Sequence, residues 1–335
     1  MSKLRWGVLG VARIATVKVI PAMQRSTECE ITAIASRDAA KAEDAAHTLN
    51  IPKAYGSYED LLADPDIDAI YNPLPNHMHV PWSIRAAEAG KHVLCEKPLG
   101  MNLGEVRELI AVRDRTGVTI GEAFMVQVHP QWVRTTELVR GGRIGALRFA
   151  MVSYGYYNDK PQNIRNVPAF GGGGLMDIGC YPIKVSRMVF GEEPRRVAAT
   201  LRHDPAMGID TVTAAILDYP SGPCHFSCGT QVVPHQTVQF FGTRGRIELE
   251  IPFNAIPNER SSILVDDGRD LTGGGVEIEK FAPCDQYTLQ GDAFARAVRE
   301  RTPPPVPLED SVRTMAVIEA VVRAGKSGQW ETPEN

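Results

Sequence analysis

Leu4-Arg5-Trp6-Gly7-Val8-Leu9 runs directly into Gly10-Val11-Ala12-Arg13-Ile14-Ala15, and this junction decides the fold. A short apolar run, then a glycine, then small residues opening a helix is a strand–turn–helix unit. In such a turn the backbone can closely approach a pyrophosphate lying at the helix N-terminus. Ala12 and Ala15 stand where the second and third glycines of that fingerprint usually sit. The motif alone is weak, because turns of small residues are common between strands and helices. Its weight comes from its place at the head of a long strand–helix alternation.

Strand-like and helix-like stretches alternate through the first third of the chain. Apolar runs read as strands at Glu30 to Ala35, Ala69 to Asn72, His92 to Cys95 and Val118 to Gly121. Helical patterns lie between them: Arg13 to Gln24, which Pro21 should kink or end, then Asp38 to Leu49, a short one from Ser57, Pro81 to Ala89, and Leu103 to Arg115. Asp38 and Ser57 are N-cap types, and Gly90 is a C-terminal stop. This alternation predicts an α/β fold with a doubly wound parallel sheet in residues 1–122. The pattern changes near residue 123. Helices are expected at Gln131 to Arg140 and Leu175 to Val189. Strand-like runs then crowd together at Val197 to Arg202, Thr211 to Leu217, His225 to Thr230, Thr237 to Phe241, Arg246 to Ile251 and Ser262 to Val265. Strands without long helices between them predict a C-terminal α+β domain, 123–335, with a mostly antiparallel sheet. Two helices, Gln286 to Arg299 and Leu308 to Ala324, close it.

Composition bounds the function. A chain of 335 residues has two domains as its prior, and 43% hydrophobic with 23% charged residues is that of a soluble globular protein. The net charge of -4 favours neither nucleic acid nor an anionic membrane. No run approaches the roughly 18 apolar residues of a membrane helix. The first strand begins at once, without a signal-peptide core, so a cytoplasmic protein is expected. The six cysteines are scattered, as reduced thiols are. Cys224 and Cys228 flank His225 on a strand, but no second ligand pair follows, and no metal is expected.

Three segments carry chemistry. After the second strand, an acid would bind the ribose 2′-hydroxyl of NAD. This chain has Ser36-Arg37, with Lys41 a helical turn later; a hydroxyl, a guanidinium and an ammonium suit the 2′-phosphate of NADP. After the third core strand, Pro73-Leu74-Pro75-Asn76-His77-Met78-His79 makes a rigid turn where open α/β sheets bind ligands, and Asn76 can cap the next helix. Glu96-Lys97-Pro98 ends the fourth strand. Asp177 and Tyr181, spaced four apart after Gly171 to Gly174, fall on one helix face. A lysine at a strand end and a tyrosine on a helix suit removal of an alcohol proton while a hydride leaves its carbon.

Taken together, Gly7 to Ala15, Pro75 to His79, Ala89-Gly90-Lys91-His92-Val93-Leu94-Cys95-Glu96-Lys97-Pro98, Gly172 to Tyr181 and Phe241-Gly242-Thr243-Arg244-Gly245 resemble the glucose–fructose oxidoreductase and inositol dehydrogenase (Gfo/Idh/MocA) family. The resemblance covers nearly the whole chain. It implies an N-terminal Rossmann domain that binds NADP, and a C-terminal domain whose large open sheet mediates a homodimer or homotetramer. It implies Lys97 at the active site near the nicotinamide, and with the segments read above the expected cofactor contacts are Gly10, Val11, Ala12, Arg13, Ile14, Ser36, Arg37, Lys41, Leu74, Pro75, Asn76, His79, Glu96 and Lys97. Many members have histidine where this chain has Tyr181; tyrosine there resembles the NADP-dependent xylose and glucose dehydrogenases, aldose–aldose oxidoreductases and dimeric dihydrodiol dehydrogenases. Gln127 stands where arginine is common in similar sequences.

The expected chemistry is transfer of a hydride between NADP and C1 of an aldose sugar. Tyr181 is the acid/base; a phenol with a pKa near 10 is a poor base unless a cation such as the Lys97 ammonium favours its phenolate. Lys97 also offsets charge on the substrate oxygen. Asp177 orients a sugar hydroxyl or Lys97, and Arg165, His129 and Tyr157 form the polar wall of the sugar pocket. The alternatives are an aldose–aldose oxidoreductase with tightly held NADP, a trans-dihydrodiol dehydrogenase, and a non-catalytic NADP sensor.

Overall fold

The computed structural model describes residues 2–334, which form two compact units. One comprises the residues up to Val128 together with Asp285–Val312, the other His129–Cys284 together with the residues from Arg313 onward.

The first unit contains β1 (Leu4–Leu9), α1 (Ile20–Gln24), β2 (Cys29–Ala35), α2 (Ala39–Leu49), β3 (Lys53–Tyr55), α3 (Tyr58–Ala63), β4 (Ala69–Asn72), α4 (His79–Glu88), β5 (His92–Glu96), α5 (Leu103–Thr116) and β6 (Ile120–Ala123). All six strands are parallel, in the order β3-β2-β1-β4-β5-β6. The central strands are near-continuous apolar runs because helices cover both faces; every residue of β4 is buried. Local chemistry sets the helix ends. The carboxylate or hydroxyl oxygens of Asp38 and Ser57 and the amide oxygen of Asn102 accept the backbone N–H of Lys41, Asp60 and Glu105 at the starts of α2, α3 and α5. The strand order reverses beside β1, so the ends of β1 and β4 flank the crevice where such sheets take ligands.

The second unit contains α6 (Pro130–Arg140), β7 (Leu147–Tyr157), α7 (Cys180–Phe190), β8 (Arg196–His203), β9 (Asp210–Tyr219), β10 (Gly222–Gly229), β11 (Gln231–Gly242), β12 (Arg246–Leu249), β13 (Ser262–Asp266) and β14 (Val276–Lys280). The chain closes with α8 (Gln286–Glu300) and α9 (Leu308–Ser327). Eight strands form one sheet, β14-β13-β12-β11-β7-β10-β9-β8, antiparallel throughout except where β10 runs parallel to β7. Among the described residues no helix is long and apolar enough to cross a membrane.

The structure differs from the sequence reading in several places. The expected boundary at 122/123 falls at Val128, and α8 belongs with the first unit. The reason is packing: Phe294 of α8 is fully buried, its ring 5.4 Å from the equally buried Trp6 of β1. Pro21 does not end its helix. A π turn over Ala15–Val19 precedes it and leaves the proline in the first turn of α1, where its missing N–H is tolerated. The last parallel strand is displaced from Val118–Gly121 to Ile120–Ala123. Strands β3 and β14 escaped the pattern search. The first is three half-exposed or exposed residues; the second is an edge strand whose Glu277, Glu279 and Lys280 mask its alternation while guarding the edge.

Candidate active site

In the first unit, Gly10 has φ 84° and donates its N–H to Ala35 O at 2.8 Å. A Cβ there would lie 3.0 Å from Leu74 Cδ2 and 3.5 Å from Tyr58 Oη, so glycine is required by both backbone and space. Val11 and Arg13 are exposed, while Ala12 and Ile14 are half-exposed. The first N–H groups of a helix have no partner within it, and at an accessible helix start they can receive an anion. Past β2, Ser36 Oγ accepts the Asp38 N–H at 3.2 Å, while Arg37 and Lys41 are exposed. Asp38 is the cap of α2 and lies 3.6 Å from Lys41 Nζ. Burial raises the pKa of the Tyr58 phenol, while the positive charge of the Arg37 guanidinium pulls the other way. A glycine cradle at a helix start, followed by a hydroxyl and two cations, fits NADP.

The Pro73–His79 turn is held from below. The buried Asn72 amide donates to His79 O at 3.0 Å and to Ser83 Oγ at 3.2 Å, and its oxygen accepts the Leu74 N–H at 3.3 Å. Asn76 is not the cap of α4. It begins a 3-10 turn, Asn76–Met78, which places Met78 at the cap position without a side-chain bond. The ring of His79, expected to border the cofactor, turns inward. It is buried, with Nδ1 2.8 Å from Pro98 O and Nε2 2.7 Å from Leu74 O. Burial pushes its pKa down to about 4 against the pull of the two carbonyls. Leu74 is buried against Gly10, and Pro75, Asn76, His77 and Met78 are the half-exposed members of this turn.

Glu96 and Lys97 are half-exposed at the end of β5. Glu96 Oε1 accepts the hydroxyl of Tyr71 at 2.6 Å, and burial with that carboxylate drives the Tyr71 phenol well up. The Lys97–Pro98 peptide is cis. Beyond it, Leu99 N–H donates to Glu122 Oε1 at 2.9 Å, and Glu122 Oε2 accepts from Ser311 Oγ at 2.7 Å. The other lysine of this block, Lys91, is structural: its buried ammonium donates to Asp64 O and Ile67 O at 2.7 and 2.8 Å. Burial lowers its pKa.

In the second unit, close packing explains the glycine run. A Cβ on Gly172 would lie 2.6 Å from Arg165 O, and one on Gly173 only 2.2 Å from Asp210 Oδ1. Asp210 Oδ2 accepts the Leu175 N–H at 2.7 Å and so fixes the helix start. That start is a π turn, Leu175–Gly179, which runs into α7; the four-residue spacing of Asp177 and Tyr181 therefore does not lie on a uniform α-helix. Asp177 gathers a cluster. Its Oδ1 accepts Arg165 Nε at 3.0 Å and its Oδ2 accepts the Tyr156 hydroxyl at 2.5 Å. Burial and the carboxylate push the Tyr156 phenol far up. Tyr181 is 6% exposed, its ring edge-on to Tyr154 at 5.7 Å and tilted on Phe253 at 5.1 Å.

Two expected wall residues make their hydrogen bonds to groups other than Asp177. Tyr157 is 62% exposed, its hydroxyl 3.4 Å from Asp159 Oδ2; successive residues of β7 point to opposite faces, so Tyr156 reaches Asp177 and Tyr157 does not. His129 is buried at the start of α6, where Nδ1 accepts the Gln131 N–H at 3.3 Å and Nε2 lies 3.5 Å from Cys284 Sγ. It is a helix cap, with a pKa pushed down by burial to about 4. Cys224 and Cys228 are buried on β10, and burial pushes the Cys224 thiol up to about 12.

Sequence reasoning missed Tyr58, Tyr71, Glu122 and Tyr156. Two of them left a signal. Glu122 is a carboxylate inside an apolar strand, and Tyr156 shares a strand face with Tyr154 by period two.

Residues 4–124 match the sequence model of the Gfo/Idh/MocA oxidoreductase family, NAD-binding Rossmann fold, and residues 132–248 match that of the Gfo/Idh/MocA C-terminal domain. D-xylose 1-dehydrogenase (NADP(+)) 2 of Haloferax volcanii is 40% identical over 97% of this chain and 98% of its own. Trans-1,2-dihydrobenzene-1,2-diol dehydrogenase of Mus musculus is 34% identical over 74% of each. A tyrosine-to-phenylalanine variant of KijD10, a 3-ketoreductase from Actinomadura kijaniata solved with TDP-benzene and NADP, superimposes with a TM-score of 0.90 at 30% identity, covering 96% of this chain and 98% of its own.

Proposed function

The chain belongs to the Gfo/Idh/MocA oxidoreductase family, and on that premise we propose that it is an NADP-dependent dehydrogenase that oxidises the C1 hydroxyl of an aldose to the aldonolactone. The similarity along nearly the full length to an NADP-dependent D-xylose 1-dehydrogenase carries this reading. In the first unit, the backbone from Gly10 to Ile14 holds the pyrophosphate, and Ser36, Arg37 and Lys41 hold the 2′-phosphate. Pro75, Asn76 and Glu96 border the nicotinamide ribose. NADP, when bound, supplies the two-electron oxidant at the alcohol carbon. Tyr181, as the phenolate that the Lys97 ammonium favours, takes the hydroxyl proton, and Lys97 offsets the negative charge that develops on the substrate oxygen. Asp177, held in orientation by Tyr156 and Arg165, accepts a hydrogen bond from a sugar hydroxyl.

The same reading gives a homodimer or homotetramer through the C-terminal sheet. One face of that sheet forms a broad concavity that includes Met151, Ala198, Ala214 and Ile216, with Met151 48% exposed. The six free thiols suit a reducing cytoplasm.

The test is a substrate panel. Purified protein is mixed with NADP or NAD and with xylose, glucose, other aldoses or a trans-dihydrodiol, and reduced nicotinamide is followed by absorbance. Aldose-dependent NADPH formation supports the proposal, with the lactone as the expected product. Turnover of the dihydrodiol alone would replace it with the second reading, which the mammalian relative favours. Cofactor that stays bound and turns over only when a second sugar is added would give the aldose–aldose variant. NADP binding without reduction by any substrate would leave a sensor.

A further inference from the structure

We infer that Tyr71, His79 and Glu122 form a buried cradle that positions Lys97, with His79 as its principal positioning residue. The inference rests on the proposed role of Lys97 and deepens it. The three side chains come from β4, from the first residue of α4 and from β6. Tyr71 is 0% exposed, His79 1% and Glu122 4%, so none of them presents a surface to substrate or cofactor. Yet each directs a polar atom at a residue flanking Lys97. Tyr71 donates to the Glu96 side chain at 2.6 Å, one residue before it. His79 Nδ1 meets Pro98 O at 2.8 Å, one residue after. Glu122 accepts from Leu99 N–H at 2.9 Å, two residues after.

Burying a phenol, an imidazole and a carboxylate is costly unless their hydrogen bonds are made, and apolar groups of similar shape would fill the same space without that penalty. What apolar groups could not do is fix the turn at three defined points, the Glu96 carboxylate before Lys97 and the Pro98 carbonyl and Leu99 N–H after it. Lys97 is therefore bracketed on both sides while it occupies a half-exposed position. His79 has a second task. Its Nε2 lies 2.7 Å from Leu74 O, so one ring ties the Lys97 turn to the Pro73–Pro75 turn. A neutral imidazole has one N–H; one tautomer donates to Pro98 O and the other to Leu74 O, and either keeps the ring wedged between the two turns. Both turns lie at C-terminal strand ends, where the cofactor and the reacting carbon are expected.

A positioning role has a signature that a purely structural one lacks. If His79 acts through Lys97, removing it costs nothing further once the lysine is gone. Wild type, Lys97→Ala, His79→Gln and the double variant are compared for kcat and KM with NADP and the best aldose, with NADP binding measured by fluorescence titration. His79→Gln is expected to lower kcat by about 10- to 100-fold, the scale of a small misplacement of a catalytic group, with NADP affinity held within about twofold. The double variant is expected to match Lys97→Ala. Losses that multiply in the double variant while Lys97→Ala is itself crippled overturn the cradle and leave the proposed function standing. A Lys97→Ala protein with near wild-type kcat overturns the role of Lys97 and the cradle with it. Tyr71→Phe removes a single oxygen and is run through the same cycle; it carries the test if His79→Gln does not fold.

Discussion

Replacing Tyr181 with phenylalanine removes one oxygen and keeps the ring. The ring packs against Tyr154 at 5.7 Å and Phe253 at 5.1 Å, and phenylalanine retains both contacts, each worth about 0.5–1.5 kcal/mol beyond burial. The fold should therefore survive. Losing one hydroxyl hydrogen bond costs about 1 kcal/mol, which in a chain of this size shifts Tm by no more than about 4 °C. Catalysis should not survive. Proton transfer by a positioned side chain contributes roughly 10²- to 10⁴-fold, which is about 3–5 kcal/mol of barrier. The assay is steady-state NADPH formation at saturating aldose and NADP, paired with NADP titration and a thermal melt. The expected result is a kcat loss of roughly 10²- to 10⁴-fold, with cofactor affinity and Tm nearly unchanged. A variant that melts normally, binds NADP normally and turns over within about threefold of wild type would refute Tyr181 as the acid/base. The discrimination is clean because the oxygen is the only atom changed on a 6% exposed side chain.

Other predictions concern the cofactor, pH and the core. Arg37→Ala should cut kcat/KM for NADP by about 10- to 100-fold, the loss of a charge-assisted phosphate contact of roughly 1.5–3 kcal/mol, while leaving kcat/KM for NAD near its original value; the ratio of the two measures it. His79 and His129 are held neutral by burial, with folded pKa values of about 4. Because that is below the unfolded value near 6.5, their stabilising contribution is present above pH 6.5 and is lost as pH falls towards 4. By pH 5 the loss should reach about 2 kcal/mol per histidine, read as a falling urea midpoint, and His79→Gln should flatten part of that slope. Phe294→Ala should cost about 3–5 kcal/mol by denaturant unfolding, since it leaves a cavity against the fully buried Trp6. A fragment ending at residue 122 lacks α8 altogether and should expose Trp6, visible as a red-shifted tryptophan fluorescence.

Much of this protein was legible as text because its signals are local. An apolar run that stops at Gly10, an aspartate before α2 and a glycine run before α7 act within a few residues of where they stand. The doubly wound sheet followed from such signals, and the proposed roles of Ser36, Arg37 and Lys41 toward NADP and of Lys97, Asp177 and Tyr181 in the chemistry rest on them and on the resemblance they carry. Other placements depend on distant residues. His79 looked like a ligand contact and Asn76 like a cap. The fold instead turns His79 inward onto Pro98 O, nineteen residues away in the chain, and inserts a 3-10 turn that displaces the cap to Met78. Tyr157 is the tyrosine expected in the sugar pocket, while the alternation of β7 brings its neighbour Tyr156 to Asp177.

The sequence by itself determined the two architectures, the order of the parallel strands' helices and caps, and which residue types are available for chemistry, because periodicity, turn residues and capping are short-range physics. Only the tertiary structure decided that α8 returns to cover Trp6, that Glu122 and Tyr71 brace the turn bearing Lys97, and that Tyr156 and Arg165 share Asp177. Those pairings join residues up to hundreds of positions apart. They exist because buried polar groups must find partners and buried rings must fill space, and neither requirement leaves a mark on the residues' immediate neighbours in the chain.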